Sequence, residues 1–267
     1  MRWLGRCFFH LFAALVVAYF LLPIVVTVMM SFTPTRFLQL PTTKWSLQWY
    51  FAFFEDVEWT DALRNSLIVG ALTVVLALFI GLTAAIGFAR FQFRWKAALY
   101  TLALTPVFTP AVILAMALLA LAYEWGLEGG YLIIAIGHSL WAFPLVIIVM
   151  RVSLEGLDPS LEEAARGMGA SPWRTFREVI LPLVAPSVLV GALFAFIISI
   201  NEFIMALFLG SSETETLPRI IYPTLRYRLT PLVASASGVL MLLTVVVLLL
   251  CARLMNFRKL VEYNRPH

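Results

Sequence analysis

The chain has 267 residues; 62% are hydrophobic and only 13% are charged, about half the roughly 25% of a soluble domain. With a mean hydropathy of +0.93, this excludes a disordered chain, a secreted disulfide scaffold and a nucleic-acid-binding domain, and leaves an integral membrane protein of several spans. The net charge of +4 reads as membrane topology, not as a nucleic-acid partner.

Six apolar runs are long enough to cross about 30 Å of hydrocarbon. They cover about 8–30, 65–88, 98–122, 131–150, 186–209 and 232–252. Each is continuous, with no strand-like alternation, so the fold class is all-α, with helices that satisfy their own backbone groups in lipid. The first run is too long for a signal peptide and no small-x-small site follows it, so it reads as an uncleaved anchor. Segment 31–62 brings Trp45, Trp49, Tyr50 and Trp59, residues that sit at membrane interfaces. In the second run, Gly70, Gly81 and Gly87 suit close helix contacts. A short basic turn follows at 89–97. Pro106 and Pro110 weaken the third run. His138, in the fourth, reads as an interhelical hydrogen-bonding residue. The fifth holds Asn201 and Glu202, the latter about 16 residues in, or roughly 24 Å along the helix. A carboxylate at that depth must face a cavity or a partner. It reads as a polar contact on a solute path or as a gate. Cys7 and Cys251 stand at the ends of apolar runs and form no redox or metal motif. No group of His, Cys, Asp and Glu has metal-ligand spacing.

With the N-terminus inside, thirteen of the 19 Lys and Arg residues fall on inner segments. That asymmetry predicts that both termini are cytoplasmic. The whole chain, 1–267, reads as a single transmembrane domain with one long inner loop at 151–185.

That loop is too polar to span and is patterned. Ser160 followed by Glu163 fits a capping box, and Pro159 suits a first helical turn. Leu161, Ala164, Ala165 and Met168 fall on one helical face. Gly169 suits a helix stop with positive φ. Ser171-Pro172 opens a second short helix carrying Trp173, Phe176 and Ile180, and Pro182 and Pro186 lead into the fifth run. On pattern alone, this suits an amphipathic connector lying on the membrane equally well.

The string Glu163-Ala164-Ala165, three residues, Gly169, nine residues, Val179-x-Leu181-Pro182 resembles the EAA loop of type I ABC importer permeases. Val179 replaces the usual Ile; the spacing is matched throughout. The loop also falls between the fourth and fifth of six runs, as in that family. Asn65-Ser66-Leu67, Gly137-His138, Phe143-Pro144, Asn201-Glu202-Phe203, Thr216-Leu217-Pro218 and Thr230-Pro231 extend the resemblance toward the spermidine/putrescine (PotC-type) branch. The resemblance implies the six-helix permease fold and a place in a bacterial inner membrane. It implies that Glu163, Ala164, Ala165, Met168, Gly169, Leu181 and Pro182 form an ATPase-coupling element, and that the solute is a small amine-bearing compound. Other members of the branch are assigned to phosphonates and opines. It also implies partners: a second permease subunit, a pair of ATPase subunits and an external solute-binding protein, besides membrane lipid. Glu163 is expected to orient the loop by hydrogen bonding or pairing with Arg.

No nucleotide site is expected in this chain. A Walker A lysine precedes Ser or Thr, whereas Lys44, Lys96 and Lys259 precede Trp, Ala and Leu. No cofactor is therefore expected here, and ATP and Mg would belong to the ATPase. An intramembrane enzyme would need a second catalytic partner beside Glu202 or His138, and a secondary transporter would leave the patterned loop unexplained.

Overall fold

A computed structural model describes residues 2–40 and 44–263, with side chains for 9–40 and 44–254. The side chains of Cys7 and His267 lie outside the described residues, as do those of the basic residues at both extreme ends. The elements are α1 (Arg2–Ser31), α2 (Gln48–Glu55), α3 (Val57–Arg90), α4 (Lys96–Phe108), α5 (Ala111–Trp125), α6 (Tyr131–Glu155), α7 (Ser160–Gly167), α8 (Pro172–Thr175), α9 (Leu181–Asn201), α10 (Ile204–Leu209), α11 (Leu217–Tyr227) and α12 (Pro231–Tyr263). Among the described residues, the only β pairing is an isolated bridge between Gly129 and Gly210. The fold is all-α.

Five helical runs are long and apolar enough to cross a membrane, and the pair α4 and α5 makes a sixth if counted as one. That pair is where the structure departs from the expected continuous run at 98–122. The two helices meet at 103°. The cause is local. The ring of Pro110 drives the preceding residue out of the helical region, and Thr109 is extended, with φ −89° and ψ 132°. Pro110 then stands at the N-cap of α5, where a missing N–H costs nothing.

The chain divides into two compact units, Met1–Asp61 with Ile220–Leu243, and Ala62–Arg219 with Thr244–His267. In the first, Tyr50 of α2 hydrogen-bonds Ser31 at the end of α1 (2.8 Å), and Ser235 of α12 donates to the Trp49 carbonyl (3.1 Å). Phe53 and Trp59 are buried there, ring to ring at 6.0 Å. The stretch of α1 from Phe9 to Leu22 presents exposed apolar side chains, Tyr19 at 73% among them. Such a surface belongs against lipid or another chain.

In the second unit α6 packs along α9, and α5 against α10. Two apolar clusters form its core, one around Ile133, Ile134 and Met205, the other around Val146, Met150 and Val184. Close approach of α3 and α6 depends on Gly81: a methyl there would lie 2.5 Å from Val146 Cγ1. Gly70 likewise faces the Phe196 ring, but Gly87 meets nothing within 4 Å, so only two of the three glycines serve contacts. Near the start of α3, Asn65 Nδ2 donates to the carbonyls of Glu213 and Glu215, at 3.1 and 2.9 Å, and its Oδ1 accepts from Tyr131. Ser66 accepts the Leu217 N–H at 2.8 Å. The segment after α10 is thereby fixed to α3 and α6.

Candidate functional site

The most patterned stretch of sequence forms α7, but the helix starts differently from the expected capping box. Asp158, not Ser160, supplies the cap, its carboxylate accepting the Ser160 N–H at 2.9 Å. These hydrogen bonds from Ser160, the backbone one foremost, hold the Asp158 carboxyl below its usual range. Pro159 already has helical angles, so Ser160 lies inside the first turn. The Glu163 N–H goes to the Pro159 carbonyl instead, which leaves nothing for the Ser160 hydroxyl to cap.

The helix stops as the sequence predicts. Gly169 has φ +84°; its N–H reaches the Arg166 carbonyl, and the Ala170 N–H reaches that of Ala165. This is a Schellman closure, and the left-handed residue is the glycine.

The four residues expected on one face separate into two sets. Ala165 is buried, at 5% exposure, and packs inward. Leu161, Ala164 and Met168 face outward, Met168 at 84% exposure. Trp173, stacked with Phe176 at 5.6 Å, is also exposed. A small unpartnered apolar surface results. The ion pairing also falls one residue from expectation. Glu162, not Glu163, meets Arg90 at the end of α3 at 2.6 Å, with Arg166 at 3.8 Å. The Glu162 and Arg90 side chains are only 13% and 20% exposed, so this pair is screened less than a surface bridge. Glu163 is exposed and makes no ion pair among the described residues.

Ser171 caps α8 through the Arg174 N–H, with Pro172 in the first turn, as expected. The second loop helix is not separate from the fifth span, however. It continues through a π turn at Phe176–Ile180 into α9, where Leu181 N–H reaches back to the Phe176 carbonyl. Pro182 follows with no N–H to give to the α-helical ladder, a setting in which single π turns arise. Leu181 is half-buried and Pro182 exposed.

At the far end of that run the helix breaks. Asn201 closes α9, exposed, its Nδ2 bonded to the Ile197 carbonyl at 2.8 Å. Glu202 is extended, with φ −78° and ψ 124°, so it lies at the break and not within a helix. Its carboxylate, 8% exposed, accepts the N–H groups of Ile204 (3.1 Å) and Met205 (2.7 Å) and so caps α10. Behind it, His138 Nε2 lies 3.5 Å away. His138 Nδ1 meets Ser199 Oγ at 2.8 Å, and Ser199 Oγ meets Thr73 Oγ1 at 3.2 Å. A buried polar chain of His138, Ser199 and Thr73 thus links α3, α6 and α9, while His138 Nε2 approaches Glu202 without a hydrogen bond.

The profile of the family described as "Binding-protein-dependent transport system inner membrane component" matches residues 77–261, well over half of the chain, α7 and the break included. The chain belongs to that family. This permease is similar to the spermidine/putrescine transport system permease protein PotC of Escherichia coli K12, at 26% identity over 92% of the chain and 93% of the relative. The Haemophilus influenzae PotC is 29% identical over 90% and 93%. The trehalose transport system permease protein SugB of Mycobacterium tuberculosis is 31% identical over 74% of each chain. A chain of a bacterial ABC transporter that imports alginate matches with a TM-score of 0.68 at 19% identity, covering 94% of this chain and 96% of that one. The MetNI methionine ABC transporter matches at 0.60 and 18%, over 78% and 96%. These last two likenesses concern the fold.

In this permease the predicted residues make two places, not one. Glu163 to Gly169 precede the 30-residue run Pro172–Asn201, and Asn201 and Glu202 close it, roughly 45 Å away along a helix. Residues that sequence reading did not single out complete both. Arg90 and Glu162 complete the first, and the signal for Arg90 was only its place in the basic turn that ends a span. Thr73 and Ser199 complete the second, and small hydroxyls in an apolar run are a faint signal. Among the described residues no group of His, Cys, Asp and Glu could hold a metal ion.

Proposed function

We propose that this permease forms half of the translocation path of an ATP-driven importer for a small amine-bearing solute, with a polyamine as the leading case. The observation that carries the reading is α7, an outward apolar surface of Leu161, Ala164 and Met168, closed by Gly169 and anchored to α3 through Glu162 and Arg90. It suits a groove in a separate ATPase subunit, one of a pair that supplies ATP and Mg. Glu163, Leu181 and Pro182 belong to the same coupling element, Glu163 free to reach the ATPase. Closure of the ATPase pair would move α7 and rock the spans between inward-open and outward-open states. The chain acts as one transmembrane domain beside a second, different permease subunit, and an external binding protein delivers solute.

Asn201 and Glu202 are the gate. Glu202 fixes the interruption of the fifth span, and the exposed Asn201 faces the path.

The solute reading draws on the PotC relatives, which align over nine-tenths of the chain. The SugB relative, with higher identity over a shorter stretch, favours a neutral sugar as the second reading. Uptake into proteoliposomes holding the full complex separates them. Labelled spermidine is expected to accumulate in an ATP-dependent manner and trehalose is not; the reverse result refutes the amine reading.

The reading has α7 and both termini in the cytoplasm, and the excess of basic residues on the inner segments supports it. In a background lacking Cys7 and Cys251, Ala170→Cys is expected to react with an impermeant maleimide only from the cytoplasmic side, and Leu40→Cys only from outside. Reversed labelling would refute the orientation and the coupling role with it.

A further inference from the structure

The turn between α3 and α4 carries chemistry that the coupling loop and the gate do not use. Arg94, Lys96 and Arg151, with Phe93 and Tyr100, line a cavity of about 450 Å³. The Arg151 guanidinium stacks over the Tyr100 ring at 4.5 Å, and its Nε is held by Glu155 at 2.7 Å. Arg94 lies over the Trp95 ring at 5.3 Å. Among the described residues, Arg94 and Lys96 make no ion pair. Three cations therefore share one carboxylate, and the cavity keeps a net positive charge. The Ala97 and Ala98 amides stand in the first turn of α4, where no intrahelical carbonyl is available to them, and such a helix end also favours an anion.

The cavity stands at a membrane boundary. Lys96 begins one apolar helix and Arg151 lies in the last turns of another. Around it Trp95, Leu99, Leu102 and Val152 are exposed, at 47–67%, an aromatic and aliphatic rim suited to headgroup and acyl chain. Basic pockets between spans at such a boundary bind the phosphates of anionic lipids.

We infer that Arg94, Lys96 and Arg151 form a binding site for the phosphate headgroup of an anionic phospholipid, at the same membrane face as α7. Its acyl chains lie along α4. The site does not depend on which solute is carried.

The test uses the full-length purified chain in neutral detergent, with native mass spectrometry during titration by phosphatidylglycerol or phosphatidylcholine. Phosphatidylglycerol is expected to be retained in preference. Arg94→Gln and Lys96→Gln should each weaken its retention about fivefold, and the double variant about 25-fold. Arg64→Gln, an exposed cation on another segment, should leave it unchanged. Both tested side chains are solvent-accessible, and unaltered melting of the variants excludes unfolding as the cause. Equal retention of the two lipids, or wild-type retention by the double variant, overturns the site. If millimolar inorganic phosphate displaces the lipid completely, the cavity is a soluble-anion site and the lipid assignment is overturned.

Discussion

Gly169→Asp is expected to lower solute-stimulated ATP hydrolysis by the assembled transporter at least tenfold, while the chain still inserts at its normal level. The reason is not collision, because nothing stands within 4 Å of the position where a side chain would begin. It is conformation and charge. Gly169 holds φ +84°, which costs a residue with a side chain roughly 1–2 kcal/mol. An aspartate there also puts a negative charge at the negative end of α7, unfavourable by about 0.3–1 kcal/mol. Both costs fall on the helix that presents Leu161 and Met168. Since about 1.4 kcal/mol corresponds to a factor of ten, the docked geometry is lost for most of the population. Gly169→Asn isolates the charge, because Asn and Asp share a tolerance of the left-handed region and only Asp is charged. It should keep a substantial part of the activity. Wild-type hydrolysis by the Asp variant would remove α7 from coupling.

Glu202→Ala is expected to cut solute uptake at least tenfold while leaving basal ATP hydrolysis intact. The carboxylate accepts two backbone N–H groups at the start of α10, and Met205 is fully buried. Alanine leaves those donors unmet, at about 1–3 kcal/mol for each buried group, and removes the carboxylate that lies 3.5 Å from His138 Nε2. The break then relaxes and the gate loses its shape. Glu202→Gln distinguishes capping from solute charge recognition. An amide oxygen still accepts, so the Gln variant should transport at a rate well above that of Ala. If Gln fails as completely as Ala, the negative charge itself is required and the side chain acts on a cationic solute. Normal uptake by Ala would take Glu202 out of the path altogether.

The spans were legible in the sequence because the lipid constraint is strong and local: about twenty apolar residues, with no tolerance for unsatisfied backbone. The bend at Thr109-Pro110 was not. Pro23, Pro144 and Pro186 sit inside helices that run on past them, so a proline by itself does not specify a 103° turn. The Gly169 stop was legible because it depends on one residue's allowed φ. The choice of Glu162 over Glu163 was not. Adjacent helical residues point about 100° apart, and only the position of Arg90 on a distant helix selects between them. Ala165 turned inward for the same reason. The capping box failed because Pro159 and Ser160 both fit a first turn, and the chain entered the helix one residue earlier. Glu202 was marked as exceptional by its charge, but its neighbour His138 comes from α6, and no local pattern encodes that contact.

Helix α3 carries Asn65 near one end and Arg90 at the other. Twenty-five residues separate them, about 38 Å of unbroken rod. Asn65 grips the Glu213–Glu215 backbone and Arg90 grips α7. A rod with both ends clamped behaves as a lever: pivoted where Gly81 lets it lie flush against α6, nearer Arg90 than Asn65, it passes travel at the Arg90 clamp to the Asn65 clamp enlarged and reversed in direction. The two faces of the bilayer are then geared together by a single stiff member.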